Sequence, residues 1–116
     1  MAMITIWHNP RCSKSRQTLA LIKQSGLPFT IRKYLDVPPT ITELKTTRKA
    51  LGDPAVIDMM RPSEAQFRAL GLTKESSADR LMQAMADHPI LIERPIVFKG
   101  DKAVIGRPPE NVEALM

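Results

Sequence analysis

The sequence predicts an α/β fold, from the order in which strand-like and helix-like segments alternate and from the turn formers that punctuate them. Apolar residues recur with a period near two at both ends of the chain and with a helical period between, and Gly or Pro marks most of the changeovers. The order is strand, helix, strand, a run of helical pieces, then a hairpin and a closing helix. At 116 residues the chain is expected to form one domain, 1–116, with the helical insert at about 40–88.

"MITIW" (3–7) is β-branched and alternating, which predicts the first strand, and His8-Asn9-Pro10 stops it. From Cys12 to Ser25 the pattern is helical, with Leu19, Leu21 and Ile22 apolar and Gly26 as the stop. "PFTIRKYL" (28–35) is the second strand. A β-α-β connection predicts that these two strands are parallel and joined by a right-handed crossover. In "VPPTITELKTTRKALG", Thr40 and Glu43 have capping-box spacing and Gly52 ends the helix.

Shorter helical pieces follow. Pro54 occupies a first-turn position in "DPAVIDMM", Ser63 and Gln66 form a second candidate box, and "SSADRLMQAMADH" sets Leu81, Met82 and Met85 on one face. "RPIVFKGDKAVIG" reads as a hairpin with strands 95–98 and 103–105 turning on Gly100-Asp101, and "RPPENVEALM" as a short closing helix. A β-α-β, helical insert, β-β-α order is the thioredoxin-like arrangement: a four-stranded mixed sheet with helices on both faces.

Composition narrows the functions. The net charge of +5 permits a nucleic-acid partner, but aromatics are 4% and the basic residues are scattered, so the cationic excess suits a small anion better. No apolar run approaches the roughly 20 residues of a membrane span, and the start lacks a basic, signal-like region. One cysteine allows no internal disulfide. A reducing cytoplasm is therefore the expected location. With no long exposed apolar stripe, a monomer is expected.

The chemistry centres on that cysteine. Cys12 stands where the first strand passes into the first helix, close to the first-turn N–H groups, with His8, Arg11, Lys14 and Arg16 within four residues. Such surroundings lower a thiol pKa from ~8.5 toward about 3.5–7.5. A lone cysteine is more commonly a small packed residue, and here the placement and the basic neighbours favour reactivity. Cys12-x-x-Ser15 is a redox spacing with a hydroxyl in place of the second thiol, able to donate a hydrogen bond to a thiolate. A phosphatase-type loop is excluded, because the required arginine position holds Thr18.

In the thioredoxin arrangement the third strand begins at a proline with a cis bond before it, facing the reactive cysteine, which assigns that role to Pro95 and brings Arg94 to the sulfur. Arg61 and Arg107 also precede prolines and so sit at element boundaries. Singly each reads as a surface charge; with Arg94 they would make a set of planar donors suited to a tetrahedral oxyanion. His88 reads as structural. The two histidines and one cysteine make no metal-ligand spacing, so no metal is expected.

"ITIWHNPRCSKSR", "YLDVPPT", "HPILIERPIV" and the arginine of "GRPPE" together resemble the glutaredoxin-coupled arsenate reductase family, in order and at matching spacing. The resemblance implies that Cys12 attacks arsenate, that His8 and Ser15 help hold it as a thiolate, and that Asn9 fixes the loop. Arg61, Arg94 and Arg107 would bind the oxyanion. It also implies glutathione as co-substrate, with no tightly bound cofactor, and glutaredoxin as the partner that clears the mixed disulfide. Arg11, Ser13 and Lys14 depart from the smaller or neutral residues usual there. Two other readings fit the same fold: a thiol- or glutathione-dependent reductase of another substrate, and an Spx-like regulator that binds RNA polymerase. The regulator reading lacks the second thiol that often serves as its switch.

Overall fold

A computed structural model describes residues 3–116, which divide into two compact units: the segment up to Val37 together with Arg94–Met116, and Pro38–Glu93. The first unit holds a four-stranded sheet. Its strands are β1 (Ile4–Trp7), β2 (Phe29–Arg32), β3 (Ile96–Lys99) and β4 (Lys102–Ile105), in the spatial order β2-β1-β3-β4. β1 pairs parallel with β2 through Ile4 opposite Phe29, and antiparallel with β3 through Ile4 opposite Lys99. β3 and β4 close the hairpin, with Gly100 at φ 63° in the turn. The sheet is therefore mixed, as the element order predicted.

The helix α1 (Ser13–Ser25) joins β1 to β2 and stops at Gly26, which takes the left-handed φ of 75° that a Cβ would disfavour. Ile4 and Ile6 alternate onto one face of β1, where they meet Ile22 of α1, Val97 of β3, and Val112 and Leu115 of the closing segment. That segment, Pro109–Leu115, is a 3₁₀ helix. On the alternate positions the Trp7 and Phe98 rings lie 4.9 Å apart, and the Arg32 guanidinium stands 5.4 Å from the Trp7 ring. This core fixes both ends of the β1–α1 loop, which carries the cysteine.

The second unit is helical and contains the segment expected at about 40–88. α2 (Ile41–Ala50) starts with the expected capping box: Glu43 N–H donates to Thr40 Oγ1 at 3.1 Å, and Thr40 N–H donates to Glu43 Oε1 at 3.0 Å. α3 (Ala65–Ala69) begins differently from expectation. Its N-cap is Glu64 rather than Ser63, and no side chain caps it. A turn donating Glu64 N–H to the Arg61 carbonyl shifts the start by one residue, and Arg61 holds the Glu64 carboxylate. α4 (Ala78–Asp87) is capped by Ser77 and buries Leu81, Met82 and Met85 as predicted. An antiparallel bridge of Met60 with Ile92 draws the segments around Arg61 and Glu93 together. Among the described residues no helix is long and apolar enough to cross a membrane.

Candidate active site

The loop after β1 is held by its own polar atoms. The ladder with β2 extends one residue beyond the strand, through His8 N–H to the Arg32 carbonyl at 2.8 Å. Asn9 is buried and works with three of its groups: Oδ1 accepts from Arg11 N–H at 3.0 Å, its carbonyl from Cys12 N–H at 3.0 Å, and its N–H donates to Ser15 Oγ at 3.1 Å. The Arg16 guanidinium donates to the Pro10 carbonyl at 2.8 Å. A side-chain oxygen that reproduces a backbone turn is how Asn stabilises such a bend. Cys12 emerges as the N-cap of α1, extended at φ −94° and ψ 123°.

The half-buried Cys12 sulfur sits under opposing influences. Burial pushes its pKa up. The backbone N–H of Ser15, the Arg94 side chain, the backbone N–H of Lys14 and the charge of Arg107 push it down, and the net direction is down. Arg107 Nη2 lies 3.5 Å from Sγ, and Arg107 Nε donates to the Arg94 carbonyl at 2.8 Å, so the two arginines are tied to one another. The peptide bonds before Pro95 and Pro108 are both cis.

Ser15 lies beside Cys12 in a different way from that expected. Its hydroxyl is taken up by His8 Nδ1 at 2.7 Å and by the Asn9 N–H, and its backbone N–H meets the sulfur. His8 is buried, and its pKa is lowered first by that burial and then by Lys33, Lys23 and Arg16. A neutral imidazole adds no positive charge to the sulfur; it fixes the Ser15 side chain.

The first unit thus brings together His8, Asn9, Cys12, Ser15, Arg94, Pro95 and Arg107. Arg61 belongs to the second unit, where Nη1 donates to Glu93 Oε1 at 2.8 Å and Nε to Glu64 Oε1 at 3.3 Å. The two carboxylates raise its already high pKa against the lowering effect of burial.

The first-turn N–H groups expected beside the sulfur are those of Lys14 and Ser15. One contributor escaped the sequence reading: Thr18, fully buried, whose hydroxyl donates to the Lys14 carbonyl at 2.8 Å and approaches the Gly106 carbonyl at 3.4 Å. Its signal was a hydroxyl placed one turn before Ile22 on the buried stripe of α1. Among the described residues no group of three His, Cys, Asp or Glu side chains is placed to hold a metal ion.

A thioredoxin-like sheet whose first helix opens on one cysteine, with a lowered pKa and no second thiol in the chain, defines the class. Within that class the chain belongs to the ArsC family, whose profile matches residues 7–115. It is 46% identical to an arsenate reductase of Neisseria meningitidis over the whole of both chains. It is 42% identical to an arsenate reductase of Escherichia coli, covering 97% of this chain and 79% of that one. The solved structure of an arsenate reductase from Vibrio cholerae superposes with a TM-score of 0.94 at 45% identity, over 99% of this chain and 98% of the other.

Proposed function

We propose that this protein is an arsenate reductase in which Cys12 is the nucleophile and an external thiol supplies the electrons. The observation that carries the reading is the sulfur itself: half-buried, its pKa lowered, beside two guanidinium groups, in a chain with no other cysteine. The thiolate attacks arsenic and forms a sulfur–arsenic bond while one arsenate oxygen leaves as water. Arg94 and Arg107 bind the oxyanion and stabilise the charge that shifts onto its oxygens during attack. Arg61, which the resemblance adds as a third anion ligand, is bonded in its own unit to Glu93 and Glu64. Asn9 holds the loop, and His8 with Ser15 fixes the first turn of α1 so that its N–H groups keep the thiolate form.

The adduct cannot be resolved within the chain. Glutathione enters as co-substrate, and glutaredoxin takes the glutathionyl sulfur as a mixed disulfide. Across the cycle arsenic goes from the +5 to the +3 state, two thiols become one disulfide, and their two hydrogens balance the water released. A reducing cytoplasm supplies such thiols. The 46% and 42% identity to curated arsenate reductases supports arsenate as the anion.

The test measures arsenite formed with glutathione and glutaredoxin supplied. The wild-type chain is expected to turn over, and to stop when glutathione is omitted or Cys12 is replaced in Cys12→Ser. A folded wild-type protein that leaves arsenate unreduced under those conditions overturns the reading.

A further inference from the structure

A chain with one reactive sulfur must receive its second thiol from outside, and the first unit has a cleft beside the cysteine loop that the mechanism above leaves unused. One wall is the loop itself, with His8, Asn9 and Arg11; the other is the turn after β2, with Lys33, Leu35 and Asp36. The cleft holds about 380 Å³, within the roughly 300–1,000 Å³ of small-molecule sites. Both walls are fixed by backbone bonds. His8 N–H ties them through the Arg32 carbonyl at 2.8 Å, and the second wall is a turn in which Asp36 and Val37 N–H both donate to the Lys33 carbonyl at 3.0 Å.

The charges select the class of occupant. Arg11, Lys33 and Asp36 are exposed, and the ion pairs described among residues 3–116 engage none of them. His8 adds no charge, being held neutral by burial and by its cationic neighbours. Two cations with one carboxylate are the complement of a molecule carrying two carboxylates and one ammonium. A compact oxyanion is better served by Arg94 and Arg107 and would be repelled by Asp36.

Resting on the thiol-dependent reading above, we propose that this cleft seats the reducing co-substrate as a γ-glutamyl tripeptide thiol. Its carboxylates lie on Arg11 and Lys33 and its ammonium on Asp36, while the oxyanion occupies the Arg94–Arg107 side. Arg11 directly precedes Cys12, so a ligand along this wall lies next to the loop that presents the sulfur.

The experiment has a binding arm and a kinetic arm. S-methylglutathione, which has no free thiol, is titrated into the wild-type chain and followed by amide NMR shifts. Shifts are expected at Arg11, Lys33, Leu35 and Asp36, with Lys33→Glu and Asp36→Lys each weakening affinity about tenfold, the scale of one charge-assisted contact. In turnover, both variants should raise KM for glutathione while leaving KM for arsenate unchanged. With 2-mercaptoethanol as reductant, wild type and variants should coincide. Shifts confined to Arg94 and Arg107, no binding at all, or an equal loss with both thiols overturns the proposal. Binding in the cleft without arsenate reduction would retain this site and reject the arsenate reading; turnover without binding in the cleft would do the reverse.

Discussion

The arginines of the two units illustrate opposite ways of keeping a cation. Arg107 lies 3.5 Å from the Cys12 sulfur and spends its Nε on the neutral carbonyl of Arg94. Its charge is felt by the thiol, whose pKa it helps lower. Arg61 donates to two carboxylates, Glu93 at 2.8 Å and Glu64 at 3.3 Å, so its charge is already answered inside its own unit. A guanidinium set beside a thiol lends its charge to the thiolate, and one bonded to two carboxylates has its charge met by them. The same residue type before a proline therefore performs two electrostatic tasks.

The largest effect should come from the first setting. Arg107→Ala removes a donor 3.5 Å from the sulfur, which the proposed mechanism places on the developing oxyanion, and is expected to lower kcat/KM for arsenate by about 10²–10³-fold. It should also move the pH profile of Cys12 alkylation upward, because a cation that favoured the thiolate is gone. The sign carries over to stability. A thiol whose pKa is lower folded than unfolded releases its proton more readily in the native chain, so its contribution is present above the unfolded pKa. That contribution is lost as pH falls through the folded pKa. Urea melts of wild type and Arg107→Ala across the alkaline range should converge as the pH is lowered. An unchanged alkylation profile would break the contrast between Arg107 and Arg61.

Next in size is Gly106→Ala, which tests how Arg107 is delivered. A Cβ at Gly106 would come within 2.6 Å of Thr18 Oγ1 and 2.8 Å of Pro95 Cγ, both inside van der Waals contact. The Gly106 N–H also donates to the Pro95 carbonyl at 2.9 Å, so the backbone just after β4 has little room to move. Overpacking of this kind costs about 1–3 kcal/mol, which thermal unfolding would read directly. Activity should fall further than the stability loss accounts for, since Arg107 is the next residue. A variant as stable and as active as wild type would show that this close approach is not what aims Arg107.

Much of the fold could be read from the sequence because its signals are local. Gly26 ends α1 in the left-handed conformation, and Thr40 with Glu43 writes the capping box into four residues. The exception is equally local: the Ser63–Gln66 spacing promised a cap, but the turn from Arg61 to Glu64 competes for the same backbone and wins. At the candidate site, Cys12 and its polar neighbours were visible as residue types in a short loop. What Ser15 bonds was not, because spacing says which residues are near and not which of their atoms are already engaged. The two carboxylates on Arg61 were hidden for another reason. Glu93 lies 32 residues away and reaches Arg61 only through the Met60–Ile92 bridge.

The smallest expected effect, Glu93→Gln, addresses that bridge and the second setting. Glutamine keeps the shape and one acceptor but removes the charge, leaving Arg61 with a single carboxylate at the longer distance of 3.3 Å. The pair is largely shielded, with the two side chains 20% and 22% exposed. The loss should therefore lie near the upper end of the range for surface pairs, about 1 kcal/mol. A double-mutant cycle of Glu93→Gln with Arg61→Gln isolates the interaction from the packing that both side chains retain. The coupling should shrink as salt is raised, because part of the pair remains open to solvent. If the coupling is near zero at low salt, Arg61 is held by the backbone bridge rather than by its carboxylates. Its carboxylates would then not set its electrostatics, and the difference drawn between the two arginines would disappear.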